Sequence, residues 1–272
     1  MCSLPSFSGR AKTDRMMMVR RRRHIDLYMS GSSVGALSPP MEEEGDGVEF
    51  DAPLATKLTA GVLLGVLCLW GFLVAGTRAV NTLTPTVGQD GLRKGLHSAV
   101  FGFACFFDIL FFPLQRREAK DKNFIKNLRR PTWAPPPLAF PIVWSLIKTL
   151  WTVAMSTAFD IVGRNVFATI PTGLFAVHLT LGTAWSNLYT KENQLGAGVP
   201  LIFLLGGTFI GTAWALYKIS PIAGLLYIPS CIWGCIASCL NVRVWQLNGC
   251  PPLYPFRLSG SPGVSARSEG EK

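Results

Sequence analysis

The stretch Pro131-Thr132-Trp133-Ala134-Pro135-Pro136-Pro137-Leu138-Ala139-Phe140-Pro141-Ile142-Val143-Trp144 decides how the rest of the chain is read. The three consecutive prolines cannot sit inside a helix, because each lacks an N–H and its ring clashes with the preceding turn. They are tolerated just before a helix and in its first turn. From Leu138 to Phe159 the chain is then apolar apart from hydroxyls and Lys148. Trp133 stands before the prolines and Trp144 about two turns beyond them. That arrangement puts one aromatic at a membrane interface and the other toward the bundle interior or lipid. The segment is a rigid, aromatic-marked entry into a membrane helix.

Composition widens this reading to the whole chain. Of 272 residues, 49% are hydrophobic and only 15% charged, against roughly 25% charged in a soluble domain. Residues 196–217 carry no charge, and 221–247 carry only Arg243. The net charge of +10 does not point to nucleic acid, because the bases cluster in one tail and one loop beside apolar spans, as the positive-inside rule expects. The seven cysteines lack the spacing of a disulfide framework and read as reduced.

Six apolar spans are expected, at 57–77, 96–114, 137–159, 169–189, 197–217 and 221–247. A helix needs about 20 residues to cross the hydrocarbon, and the second span is the shortest of the last five, carrying His97 and Asp108. If all six cross, 18 Lys and Arg fall on the side of the N-terminus, the 115–130 loop, the 190–196 loop and the C-terminal tail, against five on the other side. The first side is therefore expected to be cytosolic. Residues 1–53 and 249–272 read as disordered tails. The basic, Ser-containing start fits either an organelle targeting segment or a cytosolic basic tail.

The motif Pro-x-Trp-x-Pro-Pro-x-x-x-Phe-x-x-Val-Trp at 131–144 resembles the signature of the TspO/MBR family, the tryptophan-rich sensory proteins and translocator proteins. Leu181-x-x-x-Trp185-Ser186-x-Leu188 resembles the family's third-helix motif, with Gly182 where an Asn is usual. Residues 220–248, through Trp233, Ala237, Leu240, Asn241, Trp245 and Asn248, resemble its fifth helix, with Ser230 in place of the usual Tyr. The resemblance implies an all-α integral membrane protein: a five-helix bundle at 96–248, preceded by an extra transmembrane helix at 54–80. Gly61-x-x-x-Gly65 in that extra helix permits close packing.

The family's helices enclose a pocket for tetrapyrroles such as protoporphyrin and haem, and in some members for cholesterol. By this resemblance Trp144, Ser186, Trp233 and Ala237 line the pocket, with Trp133, Pro135 and Pro136 shaping the loop over the mouth; Phe140, Lys148 (a departure from the family), His178, Trp185 and Asn241 are further candidate ligand-binding residues. Lys148 shares a face with Trp144 and Trp151 at i, i+4 and i+7, and a lysine at this depth is costly without a partner or a watery cavity. One reading pairs it with a propionate of a bound porphyrin; the other pairs it with Asp108 or lets it snorkel. His178 is either an axial haem ligand or an interhelical hydrogen-bonding group. The family's sterol-recognition pattern is broken here by Val242 and Gln246.

Porphyrin or haem is thus expected as ligand, with no obligatory cofactor and no metal site. Cys231, Cys235 and Cys239 recur every four residues on one helix, and a single helix does not converge three sulfurs on one ion. The expected partners are a tetrapyrrole or lipid ligand, the membrane and a second copy of the chain, with Gly207-x-x-x-Gly211 as a close-packing surface. No phosphate loop, HExxH, GxSxG or paired-carboxylate motif is present, so the expected role is a receptor or transporter rather than an enzyme. The competing readings are light- or oxygen-dependent porphyrin degradation and a scaffold without ligand. The mitochondrial outer membrane is the favoured location, with the plastid envelope and endoplasmic reticulum as alternatives.

Overall fold

In the computed structural model, residues 47–84, 90–112, 118–162 and 170–258 are described. The expected tails fall outside these residues over 1–46 and 259–272. Within them, four helices are long and apolar enough to cross a membrane: Ala52–Leu83, Ala139–Val162, Leu195–Ile219 and the composite Pro221–Leu247. Two further helices, Asp90–Phe106 and Ile170–Ser186, complete the bundle.

Helix α1 (Ala52–Leu83) starts where the Asp51 carboxylate accepts a hydrogen bond from the Leu54 N–H at 3.0 Å, with Pro53 in the first turn, where its missing donor costs nothing. Its buried residues, Leu54, Leu58, Gly61, Gly65, Leu69, Leu73, Thr77 and Val80, recur every three or four positions and form one stripe. Leu63, Leu67 and Trp70 on the other faces are exposed, as lipid-facing residues of an outer helix should be. Gly65 is at the point of closest approach: a Cβ there would stand 2.6 Å from the Thr180 methyl. The extra helix is therefore packed onto the bundle at Gly65, one turn beyond the buried Gly61.

Helix α2 (Asp90–Phe106) differs from the expected span 96–114. It begins six residues earlier and ends at Phe106, after which Asp108–Phe111 form a 3-10 turn. The break falls where the Asp108 carboxylate bonds Lys148 and Thr183 on two neighbouring helices. A continuing helix would have to place that charge among apolar groups.

A short helix, α3 (Phe124–Asn127), precedes the proline segment. Helix α4 (Ala139–Val162) then begins just past the prolines, with Ala139 N–H donating to the Pro136 carbonyl at 2.9 Å. Helix α5 (Ile170–Ser186) runs on into one widened turn, Asn187–Lys191. Helix α6 (Leu195–Ile219) follows. The expected last span is two pieces, α7 (Pro221–Leu225) and α8 (Ile228–Leu247), separated at Leu226–Tyr227. Pro229 enforces the break, since it removes an N–H that a continuous helix would use.

Short parts of both expected tail segments are ordered. Val48–Phe50 (β1) pairs antiparallel with Phe256–Leu258 (β2), Glu49 opposite Arg257, and the Asp51 N–H donates to the Pro255 carbonyl at 2.8 Å. Composition alone missed this ribbon because its two strands are three residues each and lie about two hundred positions apart.

The core lies between α2, α4, α5 and α6, where Trp151, Phe175, His178, Phe209 and Tyr227 pack ring against ring. The start of α1, the 118–130 segment, the end of α5 and the residues after α8 meet at one end of the bundle, joined by Lys57–Glu192, Lys120–Glu192 and Asn248–Arg129 contacts. This is the end to which the charge count assigns most of the bases.

Candidate functional site

At this end the helices part around a cavity of about 600 Å³, within the roughly 300–1,000 Å³ of small-molecule sites. Helix α4 supplies Phe140, Trp144, Lys148 and Trp151, all on one face. Helix α5 and its widened turn supply His178, Gly182, Thr183, Trp185, Ser186 and Tyr189. Helix α8 supplies Ala237, Leu240, Asn241 and Val244 at i, i+3, i+4 and i+7, and α6 closes the wall with Ile202, Leu205 and Phe209. Ile125, Leu128, Arg130 and Pro137 form the rim.

Aromatic rings dominate the inner surface. Trp151 lies 6.1 Å from Trp144, 5.6 Å from Phe209 and 4.5 Å from the His178 ring, centroid to centroid. Trp185 stacks on Tyr189 at 5.1 Å. Nε1 of Trp151, Nε1 of Trp185 and Oδ1 of Asn241 are buried with no hydrogen-bond partner among the described residues. Buried polar atoms are nearly always paired in folded proteins, so three orphans on residues around one cavity are out of the ordinary. Gly182 widens the space, because a Cβ there would meet nothing within 4 Å.

One wall is polar. Lys148 Nζ lies 3.1 Å from Asp108 Oδ1, and the Thr183 hydroxyl donates to Asp108 Oδ2 at 3.2 Å. Of the two readings of Lys148, the structure has the internal pairing: the lysine meets a carboxylate of the protein's own 3-10 turn. The bundle satisfies the intramembrane cation internally, as such charges usually are. His178 is fully buried, and the Tyr227 hydroxyl lies 3.2 Å from both of its ring nitrogens. The interhelical hydrogen bond is thus present, and it competes with any axial bond to a metal.

Eight of the expected residues line the cavity: Phe140, Trp144, Lys148, His178, Trp185, Ser186, Ala237 and Asn241. Four do not. Trp133 is 52% exposed, and Pro135 and Pro136 lie outside a rim that only Pro137 reaches. Trp233 packs edge-on against Phe140 at 5.7 Å, so its position on the α8 stripe is as expected but Phe140 takes the place facing the void. Sequence reasoning missed Asp108, Arg130, Thr183 and Phe209 as cavity residues; only Asp108 carried a signal, as an acid in an apolar run.

The segment bearing the rim is held from two sides. Asn248, capping α8, accepts from the Arg129 N–H at 3.0 Å and donates to the Arg129 carbonyl at 2.9 Å. Glu192, buried just beyond the widened turn, pairs with Lys57 of α1 at 2.8 Å and Lys120 at 2.9 Å. Burial alone would raise the Glu192 carboxyl, but its hydrogen bonds and charge contacts with the two lysines outweigh this and hold it below its ordinary value.

The profile of the TspO/MBR family matches residues 94–246. The chain is similar to protein CrtK of Rhodobacter capsulatus, 27% identical over 48% of this chain and 81% of that one. It is similar to the translocator protein of Sus scrofa, 30% identical over 47% and 77% of the two chains. It is also similar to the tryptophan-rich sensory protein of Cereibacter sphaeroides, 24% identical over 47% and 79%.

Proposed function

The chain is a member of the TspO/MBR family of integral membrane proteins, and from that premise we propose that its cavity binds a tetrapyrrole such as protoporphyrin IX or haem, in a transport, sensing or scavenging role. The observation carrying this reading is the match of shape to chemistry: about 600 Å³ lined by Trp144, Trp151, Trp185, Phe140 and Phe209 suits a flat, largely apolar ligand that stacks on aromatic faces. The orphaned indole N–H groups and Asn241 Oδ1 offer such a ligand hydrogen bonds. The names of the relatives, translocator protein and tryptophan-rich sensory protein, accord with a non-enzymatic role in handling a ligand.

The test is titration of the purified protein with protoporphyrin IX in the dark, following tryptophan quenching and the Soret band. Saturable quenching, weakened by Trp144→Ala, is the expected result. Absence of saturable binding would leave the scaffold reading in its place, and Soret loss on incubation in light would add degradation of the ligand. We further propose self-association through the lipid-facing side of α6, where Gly207 is exposed beside Phe203 and Trp214. Placement in the mitochondrial outer membrane is the companion proposal, checked by fractionation against plastid and reticulum markers.

A further inference from the structure

The cavity has unlike ends. Its polar inner wall holds one cation, Lys148, and one anion, Asp108, at 3.1 Å, so the pair is neutral as a unit. Thr183 occupies the second carboxylate oxygen. A ligand acid group placed there would meet Asp108 as well as Lys148, and would have to displace an ion pair already made. The rim is different. Arg130 lines the mouth, and its guanidinium has one oxygen partner, the Pro135 carbonyl at a long 3.4 Å, while resting 5.7 Å from the centre of the Phe140 ring. A guanidinium presents five donors, and no carboxylate among the described residues pairs with this one.

The position of Arg130 is built rather than incidental. Its neighbour Arg129 is fixed by both hydrogen bonds of the Asn248 side chain, at 3.0 and 2.9 Å. Asn248 is in turn anchored to the Val244 carbonyl of α8 at 2.7 Å. Phe140 supports the guanidinium from below. The backbone at Arg130 is thus held at the mouth, and its exposed guanidinium reaches the rim, where an acid group can keep part of its hydration.

We propose that Arg130 is the acid-recognition residue of this site, orienting an amphipathic carboxylate ligand with its apolar body against Trp144 and Trp151 and its carboxylates outward at the rim. Asp108 and Lys148 exclude the reverse orientation, because their mutual neutralisation leaves no net attraction for an anion at the inner wall. This rests on the tetrapyrrole reading above and adds the direction in which the ligand lies.

The experiment compares protoporphyrin IX with its dimethyl ester on the full-length protein in nanodiscs. Arg130→Gln should weaken the diacid roughly three- to tenfold, the range of one partly exposed charge-assisted contact, and leave the ester unchanged. The retained ester binding also shows that the variant is folded. The double variant Asp108→Asn/Lys148→Met should keep the diacid-to-ester ratio of the wild type. An unchanged ratio in Arg130→Gln, or a ratio lost in the double variant, overturns the orientation while sparing the tetrapyrrole reading. Failure of both probes to bind the wild type overturns both.

Discussion

Two polar pairs join the same two parts of the bundle, the α2 segment to α4, and they lead different lives. Asp108–Lys148 borders the cavity at one end. His97–Asp160, with Nδ1 and Oδ1 3.6 Å apart, is packed near the other end, where the His97 ring lies 5.4 Å from Phe159, and neither residue lines that cavity. Each would be flagged by the same rule, an ionisable residue in an apolar run. What separates them is not their chemistry but the adjoining space. The first pair borders a space that a ligand can fill, and the second lies outside it among packed helices.

That contrast is open to attack, most forcefully at the packed end. Phe159→Ala should cost about 3–5 kcal/mol of stability, read as a lower unfolding temperature in detergent, with the porphyrin affinity of the folded fraction unchanged. A parallel loss of affinity would mean that the two ends are not separable. At the cavity end, Trp144→Ala should lower porphyrin affinity by on the order of tenfold or more, since it removes a stacking face and its buried apolar area. Trp233→Ala, one ring further out behind Phe140, should cost only a fraction of that; equal losses would return Trp233 to the cavity wall.

The pairs themselves give the next comparison. Lys148→Met strands the part-buried Asp108 carboxylate without its partner, so the unfolding temperature should fall while the diacid-to-ester ratio stays that of the wild type. Adding Asp108→Asn should restore the unfolding temperature. Asp160→Asn should shift the unfolding temperature and leave both porphyrin probes untouched.

Acidification offers a smaller effect. Because the Glu192 carboxyl is held below its ordinary value, its tie to Lys57 and Lys120 contributes fully above the unfolded glutamate value of roughly 4.3. It is lost as the pH falls below that, through the folded-state value. Glu192→Gln should flatten this part of the pH–stability curve. Least of all, Gly182→Ala should be tolerated, because a Cβ there meets open space; it should stabilise the helix by up to about 1 kcal/mol while trimming the cavity slightly.

Where the sequence could be read, it was read through periodicity. Trp144 and Lys148 share a face with Phe140, and Ala237 with Asn241, because helical spacing alone puts them there. Phe140 excluding Trp233 could not be foreseen in this way, since both residues satisfy the spacing and only the packing of α4 on α8 chooses between them. Asp108 was visible as an oddity in an apolar run, but its 3-10 turn depends on Lys148 and Thr183, forty and seventy-five positions away. Arg130 looked like one more base of a cytosolic loop. Its distinction comes from Asn248, which clamps the neighbouring Arg129 from the far end of the chain. Local signals therefore specified the helices and half of the cavity wall, and the charges that set its polarity came from contacts between distant segments.

The short ribbon between β1 and β2 has a topological consequence. Val48 stands opposite Leu258, and paired strands lie only about 5 Å apart, so a tight turn of a few residues could join residue 258 to residue 47. The path from α1 through α8 thus comes back beside its own start at this ribbon. A circularly permuted chain, opened instead between α4 and α5, would keep every helix beside its present neighbours. Its break would lie at the end of the bundle opposite the cavity mouth.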